Sequence, residues 1–396
     1  MLPKLTWRFL TEISPRLLWK AAWLWGRQGL RAMAAHQKRL RRGEYFPPFW
    51  FLDLTNACNL RCRGCWVEKD GPVYNLTDGE LDALIAVCRK QDARFFILMG
   101  GEPFMHPNLF GVLERNRDCW FQIITNGMFL SAENVARLRR AGNATPLISL
   151  DGSPERNDQR RGAGVYAAIV EGLARLKNAG LLFGVAVTVD ARNAAEVLSD
   201  AFVEDLISRG AHYVWYYIYR PFGATPAPEC ALSAAQILDV RRRLLALRRR
   251  QPILVVDSYW DADGRAFCPA AMGLGHHVGP RGGVEICPPL HFAAQTIRDN
   301  DGDFFKTINE SKLLRAFPEF VAKRTKGCVI LEDPQALKAW LQSHGAADYS
   351  GRDGWTELGA LPQLPSHHQP GAEIPEDYWL YRFLKKRLFF GMGSYG

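Results

Sequence analysis

The stretch Phe49-Trp50-Phe51-Leu52-Asp53-Leu54-Thr55, followed at once by Asn56-Ala57-Cys58-Asn59-Leu60-Arg61-Cys62-Arg63-Gly64-Cys65, sets the reading of the whole chain. An apolar, β-rich run ends in a loop that spaces three thiols as C-x3-C-x2-C. Similar runs recur at 95–99, 120–125, 147–150, 183–189 and 213–219. Between them, 77–91, 131–141, 165–179 and 194–209 carry apolar residues at three- and four-residue spacing, the period of a helix with one buried face. The 108–117 link is too short to assign. Six strand–helix units in a row require a parallel sheet, because parallel neighbours need crossovers of this length. The expected fold is α/β, an incomplete (β/α)6 version of the eight-unit TIM-like barrel. Reactive groups in such folds sit on loops leaving the C-terminal strand ends. Here those loops begin Asn56-Ala57-Cys58, Gly100-Gly101-Glu102-Pro103, Asn126-Gly127 and Asp151-Gly152, all facing one end.

The 396 residues, 47% of them hydrophobic, can bury a large core. The net charge of +9 is unevenly placed: residues 1–44 hold ten basic and two acidic side chains, leaving about +1 for the rest. The basic surplus belongs to a leader, so nucleic acid is not expected as a partner. Lys20 and Arg27 interrupt the best apolar run, at 17–25, which excludes a membrane span or a secretory core there. Nine unevenly spread cysteines are not a disulfide framework, and the reading is a cytoplasmic protein that binds metal.

Three thiolates close together can hold three irons of a [4Fe-4S] cube and leave the fourth open to a small molecule. A structural zinc site is the alternative, but it needs four ligands and no fourth lies nearby in sequence. Glycines at 100 and 101 let backbone approach a ligand closely, and the Glu102 carboxylate beside them can take up an ammonium charge.

At this point residues 48–225 resemble the radical SAM superfamily. The resemblance implies that Cys58, Cys62 and Cys65 bind a [4Fe-4S] cluster whose open iron is chelated by S-adenosylmethionine. It implies that Gly100, Gly101, Glu102 and Pro103 contact the methionine ammonium, that Ser149 and Asp151 reach the ribose, and that Thr188 and Asn193 form a fifth-strand polar pair. Tyr219-Arg220-Pro221-Phe222-Gly223 is similar to the family's sixth-strand ending near the adenine. Reductive cleavage of the cosubstrate to a 5′-deoxyadenosyl radical, fed by a one-electron donor of flavodoxin or ferredoxin type, follows from the same resemblance. One departure stands out: Gly64 occupies the place where the family usually has an aromatic residue, with Trp66, Phe222 or Tyr217 as substitutes and Trp66 preferred.

Further on, Cys268-x13-Gly282-x4-Cys287, with Cys328 later, resembles the SPASM and twitch extensions, which hold auxiliary iron–sulfur clusters. The resemblance implies a second cluster on these three thiols, its fourth iron either open or closed by Cys230, His276, His277 or His291. Cys88 and Cys119 fall in apolar patterns and are expected in the core.

Ser14-Pro15 opens and Gly43 closes a helix over 15–42, about 42 Å long. Arg16, Lys20, Arg27, Arg31, Lys38 and Arg42 fall on one stripe, beside Trp19, Trp23 and Trp25. The tail repeats the aromatic and basic mix in Tyr378, Trp379, Tyr381, Phe383, Lys385, Lys386, Arg387, Phe389 and Phe390. Such ends suit a membrane interface on the inner face, or packing across the barrel's open side. The expected divisions are a leader at 1–47, a core at 48–232, an auxiliary-cluster unit at 233–345 and an irregular tail with an amphipathic segment at 346–396. The expected substrate is a peptide or protein side chain, or a hydrophobic, membrane-held metabolite; a non-catalytic iron–sulfur carrier is the rival.

Overall fold

The computed structural model describes residues 1–223 and 225–387. The apolar runs form β1 (Phe49–Thr55), β2 (Phe95–Gly100), β3 (Trp120–Thr125), β4 (Ala144–Ser149), β5 (Gly184–Val189) and β6 (Tyr213–Ile218), all parallel. Two further parallel strands extend this set: β7 (Leu254–Val256) pairs with β6, and β8 (Gly275–Val278) pairs with the other edge, β1. β9 (Gly283–Cys287), β10 (Leu290–Thr296) and β11 (Ala347–Asp348) continue from β8 as antiparallel strands. One open sheet of eleven strands therefore runs β11-β10-β9-β8-β1-β2-β3-β4-β5-β6-β7. The C-terminal extension continues the core sheet, and β11 joins it beyond residue 345.

The crossovers follow local chemistry. Thr77 and Glu80 form a capping box that starts the helix Asp78–Lys90. Ser131 caps Ala132–Ala141, which Gly142 ends at φ 68°. The stretch at 194–209 is two helices, because Ser199 accepts a hydrogen bond from the Phe202 N–H and restarts the chain as Asp200–Ser208 after Ala194–Val197. The short link is a helix too, Leu109–Arg115, carried by buried Leu109, Phe110, Val112 and Leu113. Cys88 and Cys119 are fully buried.

The leader closes the floor of the barrel, at the N-terminal strand ends, rather than its open side. Helix Leu2–Glu12 is followed by a continuous helix from Pro15 to Arg41 that widens to a π-helical segment at Ala22–Arg27. That segment points Trp25 at Phe49, Phe95, Trp120 and Tyr213, the first residues of four strands. Leu5, Ile13, Leu17, Ala21, Leu24, Ala32 and Met33 are buried.

Several of the leader's cations have targets inside the protein. Arg16 donates to the Arg139 and Arg140 carbonyls at 2.7 and 2.9 Å, and Lys20 to Ala141 at 2.8 Å, all in the last turn of Ala132–Ala141. Arg39 donates to Gln91, the C-cap of Asp78–Lys90, at 2.7 Å, and Arg8 to Ala211 and Pro252, both at 2.9 Å. A helix C-terminus exposes carbonyls and carries partial negative charge, so a cation there satisfies both. Of the remaining stripe, Arg27 lies 4.5 Å over the Trp23 ring and Arg31 pairs with Asp92 at 3.6 Å. The membrane-surface expectation is not supported: Arg16, Lys20, Arg27 and Arg31 of the stripe have partners within the protein, and among the described residues no helix is long and apolar enough to cross a membrane.

The tail is bound as well. Glu376 and Asp257 sit among Arg241, Arg248 and Lys385 in a buried ionic knot, with Glu376 Oε2 2.5 Å from Arg248. Tyr381 Oη accepts the Val255 N–H at 2.8 Å, so the helix Trp379–Arg387 covers the β7 edge. Phe389 and Phe390 lie outside the described residues.

Candidate active site

At the C-terminal strand ends the cysteine loop and the glycine loop are built against each other. Gly101 N–H donates to the Thr55 carbonyl and Glu102 N–H to Ala57, both at 2.8 Å. A Cβ at Gly100 would lie 2.3 Å from the Thr55 oxygen, and one at Gly101 2.1 Å from that of Ala57. The two glycines are therefore needed for backbone to meet backbone, a closer constraint than approach to a ligand. Asn126, after β3, extends its amide to within 2.8 Å of Asn59 Oδ1 and 3.9 Å of Cys58 Sγ. Arg63 N–H bonds the Arg160 carbonyl at 2.9 Å, tying the cysteine loop to the chain after β4.

A cavity of about 290 Å3 opens above these loops. Cys58, Cys62 and Cys65 line it on one side, Cys268, Cys287 and Cys328 on another, and all six are free thiols. Gly100, Gly101, Ser149 and Thr188 also line it. Glu102, Pro103, Asp151 and Asn193 do not. Glu102 turns to the end of β3, accepting from Thr125 Oγ1 at 2.8 Å and from the Asn126 N–H at 2.7 Å. Asp151 is held by Arg160, at 2.5 Å, and Arg161, at 2.7 Å. Against burial, those two guanidiniums keep its carboxyl below the usual range. Asn193 Nδ2 bridges the Asp151 and Thr188 carbonyls, joining the ends of β4 and β5.

Gly64 adopts φ 69°, and a Cβ there would stand 2.6 Å from the Tyr219 hydroxyl. The ring over this position is thus Tyr219, from the end of β6. Trp66 and Tyr217 line the cavity elsewhere, and Phe222 does not.

The second thiol set meets a cation that the sequence reading missed. Arg220 Nε donates to Cys328 Sγ at 3.1 Å, its guanidinium lies 5.6 Å from the Tyr259 ring, and among the described residues it makes no ion pair with a carboxylate. A cation facing three thiols matches thiolates, the form in which cysteine holds metal. Burial pushes the Cys268 thiol up to about 11, so a metal arriving there must displace its proton. None of the proposed extra ligands lines the cavity. His276 bonds Tyr45 and Ile286, His277 and His291 bond Glu285, and Cys230 packs with Tyr219 and Ala227.

Glu102 supplies a pH test. Burial pushes it up to about 7, although Asn126, Thr125 and Phe104 all donate to it. The folded protein thus keeps a proton that an exposed glutamate releases near 4.5, and this stabilisation is full below that value and lost as pH rises through 7. From about pH 5 to pH 8, wild-type unfolding free energy is expected to fall by about 2 kcal/mol more than that of Glu102→Gln. Parallel urea-derived stabilities in the two proteins would show that Glu102 ionises normally.

The model of the radical SAM superfamily matches residues 52–199. An AdoMet-dependent heme synthase of Methanosarcina barkeri is 29% identical over 42% of this chain, which spans about half (49%) of that relative's length. The mycofactocin maturase MftC of Mycobacterium ulcerans is 30% identical over 67% of this chain and 76% of its own. Streptococcus suis SuiB, solved with its precursor peptide SuiA, shares the fold at a TM-score of 0.61 and 14% identity, over 76% of this chain and 73% of that one. With the maturase matched over three quarters of its length, the chain belongs to the radical SAM superfamily and is an enzyme of that class.

Proposed function

We propose that this enzyme activates a C–H bond of a peptide or protein side chain. The observation that carries this reading is the shared cavity: both thiol sets and the glycine loop face one space whose lining includes no Asp or Glu. Cys58, Cys62 and Cys65 would hold a [4Fe-4S] cluster and leave one iron open to S-adenosylmethionine. When bound, the pair supplies an electron and a 5′-deoxyadenosyl radical that takes a hydrogen atom from an unactivated carbon. Gly100 and Gly101 would offer backbone groups to the cosubstrate, with Ser149 and Thr188 as hydroxyl contacts. Asp151 and Asn193 would act from behind, fixing the β4 and β5 ends. Phe51, Ile124, Tyr217 and Ile330 make much of the wall apolar, which keeps water from the reacting centre. Cys268, Cys287 and Cys328 would hold a second cluster beside Arg220, and a flavodoxin- or ferredoxin-type donor would reduce the enzyme.

The peptide substrate is favoured by the long match to a maturase and by the fold shared with SuiB. A hydrophobic, tetrapyrrole-like metabolite is the second reading, favoured by the heme synthase match. The test is anaerobic deoxyadenosine formation by reconstituted enzyme with reductant and S-adenosylmethionine. Soluble peptide fractions from host cells are expected to stimulate it. Stimulation confined to lipid or porphyrin fractions would replace the substrate class, and no deoxyadenosine under any condition would remove the reaction.

A further inference from the structure

We infer that His277, Glu285 and His291 form a mononuclear site for a divalent transition-metal ion, zinc being the best fit, with Asp53 orienting the His277 ring. The site is separate from both thiol sets and rests on neither cluster.

Four strands converge there. His277 stands on β8, Glu285 on β9, His291 on β10 and Asp53 on β1, and all four side chains are buried. His277 Nδ1 and His291 Nδ1 approach the same Glu285 oxygen, at 2.6 and 3.0 Å. One donor atom from each of the three lies within 4.8 Å of the others, a spread that one ion can bridge. Asp53 Oδ1 sits 2.9 Å from His277 Nε2, where a carboxylate commonly orients a metal-bound imidazole. That contact lies off the ring N–H direction, so both buried atoms are left without an aligned hydrogen bond.

Charge points the same way. Asp53 and Glu285 place two carboxylates in one buried set, each within hydrogen-bond distance of His277. Their formal charge is −2, which a divalent ion with neutral imidazoles brings to zero. Imidazole and carboxylate donors suit zinc, and the set contains no sulfur. A small pocket bounded by Asn56, Glu68, Tyr74 and Tyr349 reaches His291 and Asp53, at the edge of the set. An ion here would clasp β8, β9 and β10 to β1, the strand whose end carries Cys58.

The test is metal content. Full-length protein with reconstituted clusters, equilibrated with zinc and desalted, is expected to retain one zinc per chain in addition to its iron. Glu285→Gln and His291→Ala should each lose that zinc with iron unchanged, and Asp53→Asn should bind it about 10- to 100-fold more weakly. Absence of zinc from the wild type, or its retention in both Glu285→Gln and His291→Ala, would overturn the site. Zinc-edge X-ray absorption on the wild type keeps the question open to test if the variants misfold. A shell of N and O at about 2.0–2.1 Å is expected, and sulfur at about 2.3 Å would place the ion on cysteine instead.

Discussion

Replacing Cys65 by alanine is expected to bring deoxyadenosine formation down to the uncatalysed background and to remove about four irons per chain. Two thiols cannot hold the cube that three hold, and no other thiol sits on this loop. The fold should hardly register the change. Cys65 is only partly buried on a cavity-lining loop, and that loop is fixed by backbone bonds such as Arg63 to Arg160 and Cys65 to Cys62. Cys88→Ala should behave in the opposite way. Its fully buried thiol packs in the helix Asp78–Lys90, so alanine there should cost about 1 kcal/mol of stability and leave iron and turnover alone. Iron, deoxyadenosine and thermal midpoint measured on both variants separate a ligand from a packing residue. Deoxyadenosine at the wild-type rate in Cys65→Ala would sink the assignment of the first thiol set.

Much of the fold was legible because burial leaves a period in sequence. β1 and β3 coincide with their apolar runs, and the helices Asp78–Lys90, Ala132–Ala141 and Ala234–Arg250 start at the Ser or Thr that caps them. The strands that escaped are those whose stability is not local. β7 has three residues, and β8 carries His276 and His277, so neither reads as an apolar run; both are recruited by an edge of the sheet already formed. The site divides similarly. Spacing identified both thiol sets, but side-chain direction has no spacing signature: Glu102 and Asp151 turn away from the cavity because better partners lie behind them. Tyr219 over Gly64 and Arg220 on Cys328 join residues far apart in sequence. Their one local sign was the Tyr219–Gly223 segment, whose match to the family placed it near the site without saying what each residue touches.

The leader, for which the sequence left a membrane surface and packing on the core both open, carries the second large effect: a chain beginning at Gly43 is expected not to reach the native fold. A basic stripe beside tryptophans reads as a membrane surface because a guanidinium's real target here, a carbonyl at a helix end, leaves no mark in sequence. Leu5, Ile13, Leu17, Leu24 and Met33 are all buried, and at about 1.5–3 kcal/mol per large apolar side chain they contribute on the order of 10 kcal/mol. A whole domain is stable by only about 5–15 kcal/mol. Removal would also uncover Phe49, Phe95 and Trp120 at the barrel floor and free the carbonyls now held by Arg16, Lys20 and Arg39. The shortened chain should therefore aggregate or lose its cooperative thermal transition, as circular dichroism and size-exclusion chromatography would show. It should also stick to vesicles more than the full chain does, because exposed core is adhesive. A monomeric shortened protein melting at the wild-type temperature would mean that the leader is an appendage, and its outward-facing Trp7, Trp19 and Trp23 would then need a partner of their own.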